Sequence, residues 1–147
     1  VPLRAAVPRI VWDADRGVLD ALAQLDPHTQ RAAARWLARR AFEIAGLADL
    51  DWVHPALAAM DRGDPLPEPF TAPAAVYPLV LPDGRRSPTA ASPGQPRHRP
   101  SFAVPTIFRA TNADPGEAVT LTYRSAVATF HDRRDELVTE LRERYLS

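Results

Sequence analysis

Residues 26–46 read DPHTQRAAARWLARRAFEIAG, and this stretch carries both a start signal and an end signal for a helix. Asp26 followed by Pro27 is a typical helix start. The aspartate accepts from the free N–H groups of the first turn, and proline at the first helical position has no N–H to lose. Gly46 suits the left-handed residue that ends a helix, and Leu47 supplies the apolar contact that follows it. The stretch therefore predicts a helix over residues 27–45.

The two faces of this predicted helix differ in character. At about 100° per residue, one broad arc carries small and apolar residues that would let a neighbouring helix approach closely, namely Ala33, Ala34, Leu37, Ala38, Ala41, Ile44 and Ala45. The opposite side carries a row of arginines with an aromatic residue at each edge, namely Arg31, Arg35 and Arg39 with Trp36 and Phe42. Charged faces are usually solvated, so we expect the arginines outermost and the two rings under adjoining loops.

Two shorter helices are predicted on either side of this one. Asp13 can cap a helix over residues 14–25, with Trp12 packing back on its first turn. After Gly46, Asp49 or Asp51 can cap a third helix that ends at Gly63. The connections are short, so we expect the three helices to be neighbours in space.

A long last helix is predicted from residue 116 to residue 146. Asp114, Pro115 and Glu117 form a strong start signal. One apolar stripe runs along it, namely Val119, Tyr123, Ala126, Phe130, Leu137 and Leu141. The spacing departs from a heptad after Phe130, which favours packing on the same domain over a coiled coil.

Arg134 lies near the middle of this stripe, where a charge must be either exposed or paired. We expect it to be exposed where the helix projects past a small core. The alternative is a salt bridge to one of four acidic residues, namely Asp49, Asp51, Asp61 or Asp64.

Residues 64–105 lack helical periodicity and hold most of the sixteen prolines. PLPEPF at 65–70 is expected to be extended. AVYPLVL at 75–81 and SFAVPTIF at 101–108 resemble short edge strands with internal prolines, able to form a small two-stranded element. A turn at 82–85 and a loop over 85–100 complete this proline-rich crossover. Phe70 within it either fills a gap in the core or anchors a partner.

Composition and pattern together predict one all-α domain over residues 1–147. The chain is 46% hydrophobic and 24% charged, as globular proteins are. We expect a small bundle of three shorter helices plus a long C-terminal helix, joined by the proline-rich crossover. The expected core holds Leu19, Leu22, Trp36, Leu37, Ile44, Leu57, Tyr123, Phe130 and Leu137.

Charge and cysteine content narrow the functional classes. The eighteen arginines balance eighteen acidic residues, so no global field attracts nucleic acid. The absence of cysteine removes disulfides and thiolate metal sites, and no apolar run approaches the ~20 residues that span a bilayer. We expect no membrane association and a cytoplasmic location in a GC-rich bacterium. Val1 in place of methionine indicates a trimmed chain or a fragment.

Motifs that carry chemistry are scarce. The four histidines stand without a second histidine at helical spacing, and the six glycines form no phosphate-binding loop. No nucleophile elbow surrounds a serine. We therefore expect no catalytic residue, no metal and no cofactor. A small enzyme or ligand-binding protein remains an alternative, with a site between the helices and the proline-rich arm, which is the extended segment that begins with PLPEPF at 65–70.

The sequence thus favours a non-enzymatic protein-interaction module, such as an inhibitor, an immunity-type protein or an accessory subunit. Arginine beside aromatic surface is typical of partner sites. The candidate partner-binding residues are Arg31, Arg35, Arg39, Trp36, Phe42, Phe70 and Arg134. We expect another protein as the partner, or a second copy through the C-terminal helix. Nucleic-acid binding through the arginine row and residues 97–99 is the second hypothesis, and it predicts strong salt dependence.

Overall fold

The computed structural model describes residues 9–80 and 99–146, and of residues 9–14 the backbone alone. Its helices are α1 (Arg9–Gln24), α2 (Pro27–Ile44), α3 (His54–Arg62), α4 (Pro73–Val80), α5 (Arg99–Ala110), α6 (Pro115–Phe130) and α7 (Arg134–Leu141). A 3-10 turn, His131–Arg133, joins α6 to α7, and a π-helical turn, Arg142–Leu146, follows α7. No strand occurs in these residues, and the fold is all-α as predicted.

The central helix is α2, which packs against both α5 and α6. Its start is the predicted one: the Thr29 hydroxyl donates to Asp26 over 2.6 Å and the Thr29 N–H over 3.1 Å, and these bonds lower the pKa of Asp26. At its end, Gly46 has a φ of 77° and the Leu47 N–H donates to the Phe42 carbonyl over 2.9 Å. Both ends of α2 therefore follow from local capping.

The small-residue face of α2 forms the middle of the core. Ala33, Ala34, Leu37, Ala38 and Ala41 are fully buried there. Small residues on α6, Ala118 and Ala126, are buried too, which allows the two helices to pack closely. Most of the predicted core is confirmed as buried, whereas Leu19, Trp36 and Ile44 are half-buried and pack against its edge.

Helices α4 and α5 occupy segments that were predicted to be extended, so that prediction was wrong. Pro78 and Pro105 lie inside these helices, although an interior proline costs roughly 3 kcal/mol in an isolated helix. The buried residues of α5 recur at helical spacing, namely Ala103, Val104, Ile107 and Ala110. Their burial against α2 and α6 offsets the cost of Pro105. Residues 81–98, including the predicted turn and most of the predicted loop, lie outside the described residues.

Two predicted helix starts were also wrong. Asp13 lies inside α1 rather than at its cap, and the Trp12 side chain lies outside those described. Helix α3 begins after Val53 with no side-chain cap, so neither Asp49 nor Asp51 supplies one. The end of α3 is as predicted, with Gly63 at a φ of 75°.

The C-terminal helix is interrupted, in contrast to the continuous helix predicted. It starts as expected, with the Glu117 N–H donating to Asp114 over 3.1 Å. It breaks after Phe130, where His131 has a φ of 51°. The change of spacing after Phe130 was the sequence signal for this break. The turn keeps the apolar side of α7 in the core, with Leu137 and Leu141 fully buried.

The segment between α3 and α4 packs on the helices. Phe70 is 2% exposed, and its ring lies 6.3 Å from Phe42, 5.7 Å from Trp52 and 6.0 Å from Phe108 between centroids. Of the two alternatives for Phe70, the structure therefore has the internal one. This aromatic cluster holds the segment between α3 and α4 against α2 and α5.

Candidate partner-binding surface

Arg31, at the start of the arginine row, binds backbone carbonyls. Its Nη1 donates to Ala110 over 3.1 Å and to Asn112 over 2.5 Å, and its Nη2 donates to Ala113 over 3.0 Å. These carbonyls lie at the C-terminal end of α5 and in the turn to α6. Carbonyls there lack helical partners and carry partial negative charge. Arg31 therefore caps the end of α5.

The other two arginines of the row bind the end of α3. Arg35 Nη1 donates to the Asp61 carbonyl over 3.1 Å. Its Nη2 lies so close to Gly63 that a methyl group there would come within 3.3 Å. Arg39 pairs with the Asp61 carboxylate, and the two side chains are 38% and 45% exposed. All three arginines are partly exposed, and each one binds an acceptor from another part of the chain.

Trp36 lies between these arginines in sequence and contacts the C-terminal turn. The Tyr145 ring meets it edge-on at 5.9 Å, and the Arg144 guanidinium lies 6.0 Å from the Trp36 ring centre. The Tyr145 hydroxyl donates to the Ala32 carbonyl over 3.4 Å. These contacts place the last turn of the described chain beside the arginine side of α2.

A shallow depression of about 280 Å³ opens among these groups, and we call it the Trp36 depression. It is lined by Ala32, Arg35, Trp36, Arg39, Asp61, Arg144 and Tyr145. Three guanidinium groups stand against one carboxylate, so its charge is positive. Among the ion pairs of the described residues, none involves Arg144, whose guanidinium lies over two rings instead. Such a surface can bind carboxylates through planar guanidinium groups and apolar groups through the rings.

A second cleft of about 500 Å³ lies on the other side of Arg35. It opens between the start of the proline-rich arm and the α5–α6 turn, where the alternative ligand site was predicted. Its arginines donate to helix-end carbonyls, and Asp64 beside it pairs with Arg62 at 2.8 Å. Among the described residues that line it, none is a histidine. Asp64 is the one acidic residue among these lining residues, and Arg62 already holds its carboxylate.

Arg134 is bound to Asp15 of α1 and is half-buried, so neither alternative predicted for it was correct. The Tyr123 hydroxyl donates to the same carboxylate over 3.1 Å. Burial, followed by the charge of Asp15, raises the pKa of Tyr123. This group joins α1 to α6 and α7 and serves the fold.

The structure brings together three of the residues predicted for partner binding, Arg35, Trp36 and Arg39, and separates the others. Phe42 and Phe70 are buried in the core and present no surface. Arg31 and Arg134 are bound within the chain, as described above. The sequence reasoning missed Arg144 and Tyr145, because nothing local places the C-terminal turn beside α2. The pairing of an arginine with an aromatic residue in RERYL (142–146) was the available signal.

Comparison with family models, with curated proteins and with solved structures finds no match to the chain. In the part of the chain that the structure describes, no helix is long and apolar enough to cross a bilayer. Within the same residues, no three acidic or histidine side chains gather as metal ligands would. The geometry of the Trp36 depression is therefore the basis for a functional assignment.

Proposed function

We propose that the protein is a non-enzymatic protein-interaction module of the bacterial cytoplasm that binds its partner at the Trp36 depression. An inhibitor, an immunity-type protein or an accessory subunit would act in this way. One observation carries the proposal: Trp36 and Tyr145 form an aromatic pair that three guanidinium groups surround on one surface. Tryptophan, tyrosine and arginine are the residue types that most often dominate binding energy at protein interfaces.

The side chains of the Trp36 depression are already held in place in the free protein, and this supports the proposal. Arg35 is held by the Asp61 carbonyl, and Tyr145 by the Ala32 carbonyl and the Trp36 ring. Side chains that are already ordered lose little conformational entropy when a partner binds. More of the contact energy therefore appears as affinity.

The same contacts argue against the other partners considered. Arg31 and Arg99, which the nucleic-acid hypothesis requires, donate to carbonyls at the ends of α5 and α6. Arg97 and His98 of that hypothesis lie outside the described residues. A homodimer was predicted through one long C-terminal helix, and the break at His131 interrupts that helix. A different protein therefore remains the favoured partner.

Affinity capture from a nuclease-treated native lysate tests the proposal. The bait is the wild-type chain, Arg144→Glu, or the matched control Arg124→Glu, which changes an exposed arginine of α6 outside the depression. We expect the wild type and Arg124→Glu to retain the same protein, and Arg144→Glu to lose it. Circular dichroism verifies that each variant is folded. Equal retention by all three baits, or by none, would contradict the proposal.

A further inference from the structure

Asp61 contributes the one carboxylate among the described residues that line the Trp36 depression. Its side chain pairs with Arg39, and both groups are more than one-third exposed. Exposed ion pairs of this kind contribute little to stability and exchange with other ions in solution. The Asp61 carboxylate therefore occupies a position that another carboxylate can take.

We infer, building on the proposed function, that the partner presents an acidic segment and that one of its carboxylates replaces Asp61 as the counter-ion of Arg39. Charge complementarity carries this inference. Among the described residues that line the depression, three arginines face one carboxylate, which leaves a net charge of plus two there. A planar guanidinium also binds a carboxylate through two parallel hydrogen bonds.

The rings identify the rest of the segment's chemistry. Trp36 and Tyr145 supply apolar area beside the guanidinium groups. An acidic peptide with an apolar residue next to its glutamates or aspartates would satisfy both surfaces. Such a peptide matches the depression better than duplex DNA does, because the bases of a duplex are stacked inside it and its phosphate backbone offers no apolar side chain to these rings.

Asp61 acts on two arginines through different atoms, and this allows a clean test. Its backbone carbonyl accepts from Arg35, whereas its carboxylate pairs with Arg39. Asp61→Asn keeps the carbonyl and removes the charge. The substitution therefore leaves Arg35 in place and releases Arg39 for the partner. Removal of an internal competitor raises the affinity for an acidic ligand.

The probe is a fluorescein-labelled decapeptide of glutamate and glycine with one central leucine, and its binding is followed by fluorescence anisotropy at low ionic strength. We expect Asp61→Asn to lower the Kd at least about three-fold. The matched control is Asp64→Asn, which removes a neighbouring acid that pairs with Arg62 instead. We expect it to change the Kd by less than about two-fold. We expect added salt to weaken the binding of the peptide to both variants, and a peptide with glutamine in place of glutamate not to bind.

A double variant locates the effect at Arg39. If part of the gain arises from releasing that guanidinium, Asp61→Asn raises the affinity less in the Arg39→Gln background than in the wild type. An equal or larger gain in this background overturns the inference. Absence of peptide binding at low salt, or equal gains for Asp61→Asn and Asp64→Asn, overturns it as well.

Other occupants give distinct results. Duplex DNA that binds as tightly and gains equally from Asp61→Asn would identify a general polyanion site and overturn the peptide assignment. Self-association of Asp61→Asn in sedimentation velocity would identify a second copy as the occupant and overturn it too. If the peptide fails while lysate capture still depends on Arg144, this inference falls and the proposed function stands. If capture is also independent of Arg144, the inference and the proposed function are both contradicted.

Discussion

The two ends of the arginine row use the same side chain in different ways. Arg31 donates three hydrogen bonds to carbonyls at the end of α5, whereas Arg39 pairs with one exposed carboxylate. The two arginines differ in the groups that accept their hydrogen bonds. Partly buried carbonyls that lose their donor are costly, but an exposed carboxylate is readily satisfied by water. The first end of the row therefore belongs to the fold, and the second end is available for binding.

Two further arginines also serve the fold. Arg99 donates to the carbonyls of Thr129 and Phe130 over 3.2 and 3.3 Å, which caps α6. Arg134 binds Asp15 and joins α1 to the rest of the bundle. A planar guanidinium reaches several acceptors at once, which a lysine ammonium does less well. The arginine content thus has a structural use in a chain that contains no lysine.

The largest effect should follow from loss of the Arg31 guanidinium. Arg31→Ala leaves the carbonyls of Ala110, Asn112 and Ala113 without their donor, and we expect it to lower the free energy of unfolding by about 2–3 kcal/mol. The stability of Arg31→Lys should lie between those of this variant and the wild type, because lysine has no planar guanidinium group to reach several carbonyls at once. Urea unfolding measures all three. A change below about 0.5 kcal/mol for Arg31→Ala would remove the distinction between the two ends.

Gly63 tests how tightly the end of α3 holds Arg35. With a φ of 75°, alanine at this position is strained, and its methyl group would also lie 3.3 Å from Arg35 Nη2. We expect Gly63→Ala to cost about 1–2 kcal/mol in urea unfolding. Gly46→Ala is the matched control, because Gly46 has a φ of 77° with open space around it. An equal or greater loss at Gly46 would show that contact with Arg35 adds nothing.

The pH dependence of stability tests the burial of Tyr123 beside the Asp15 carboxylate. Because the pKa of Tyr123 is raised above its usual 10.0, the folded chain keeps the phenol proton at pH values where the unfolded chain releases it. Stability is therefore lost as the pH rises above about 10. From pH 9 to pH 11, Tyr123→Phe should lose about 1 kcal/mol less than the wild type. If urea unfolding shows the same loss of free energy of unfolding from pH 9 to pH 11 in both proteins, this expectation is refuted.

The smallest effect is expected at the binding end of the row. Arg39→Ala breaks one exposed ion pair, and we expect a change in unfolding free energy within about 0.5 kcal/mol. The same variant should bind the acidic peptide more weakly than the wild type does, because Arg35 and Arg144 remain. A stability loss as large as that of Arg31→Ala would place Arg39 with the structural arginines.

Local signals predicted four helix ends correctly, whereas the starts of α1 and α3 were not predicted. Asp26, Asp114, Gly46 and Gly63 act on backbone within a few residues, so their effect is visible in a short stretch of sequence. Helix α5 was missed for the opposite reason. Pro105 disfavours a helix locally, and only burial against α2 and α6 offsets it.

Capping and apolar periodicity are properties of neighbouring residues, so the helical class of the fold and the buried side of α2 could be predicted from the sequence. Which arginines serve the fold and which face solvent depends on contacts between distant segments. Arg31 and Arg39 lie on the same face of α2, yet Arg31 binds acceptors at the end of α5 and Arg39 binds an acceptor of α3. The Trp36 depression likewise needs side chains from α2, α3 and the C-terminal turn. A guanidinium group takes its role from its acceptor, and the acceptors here come from distant parts of the chain.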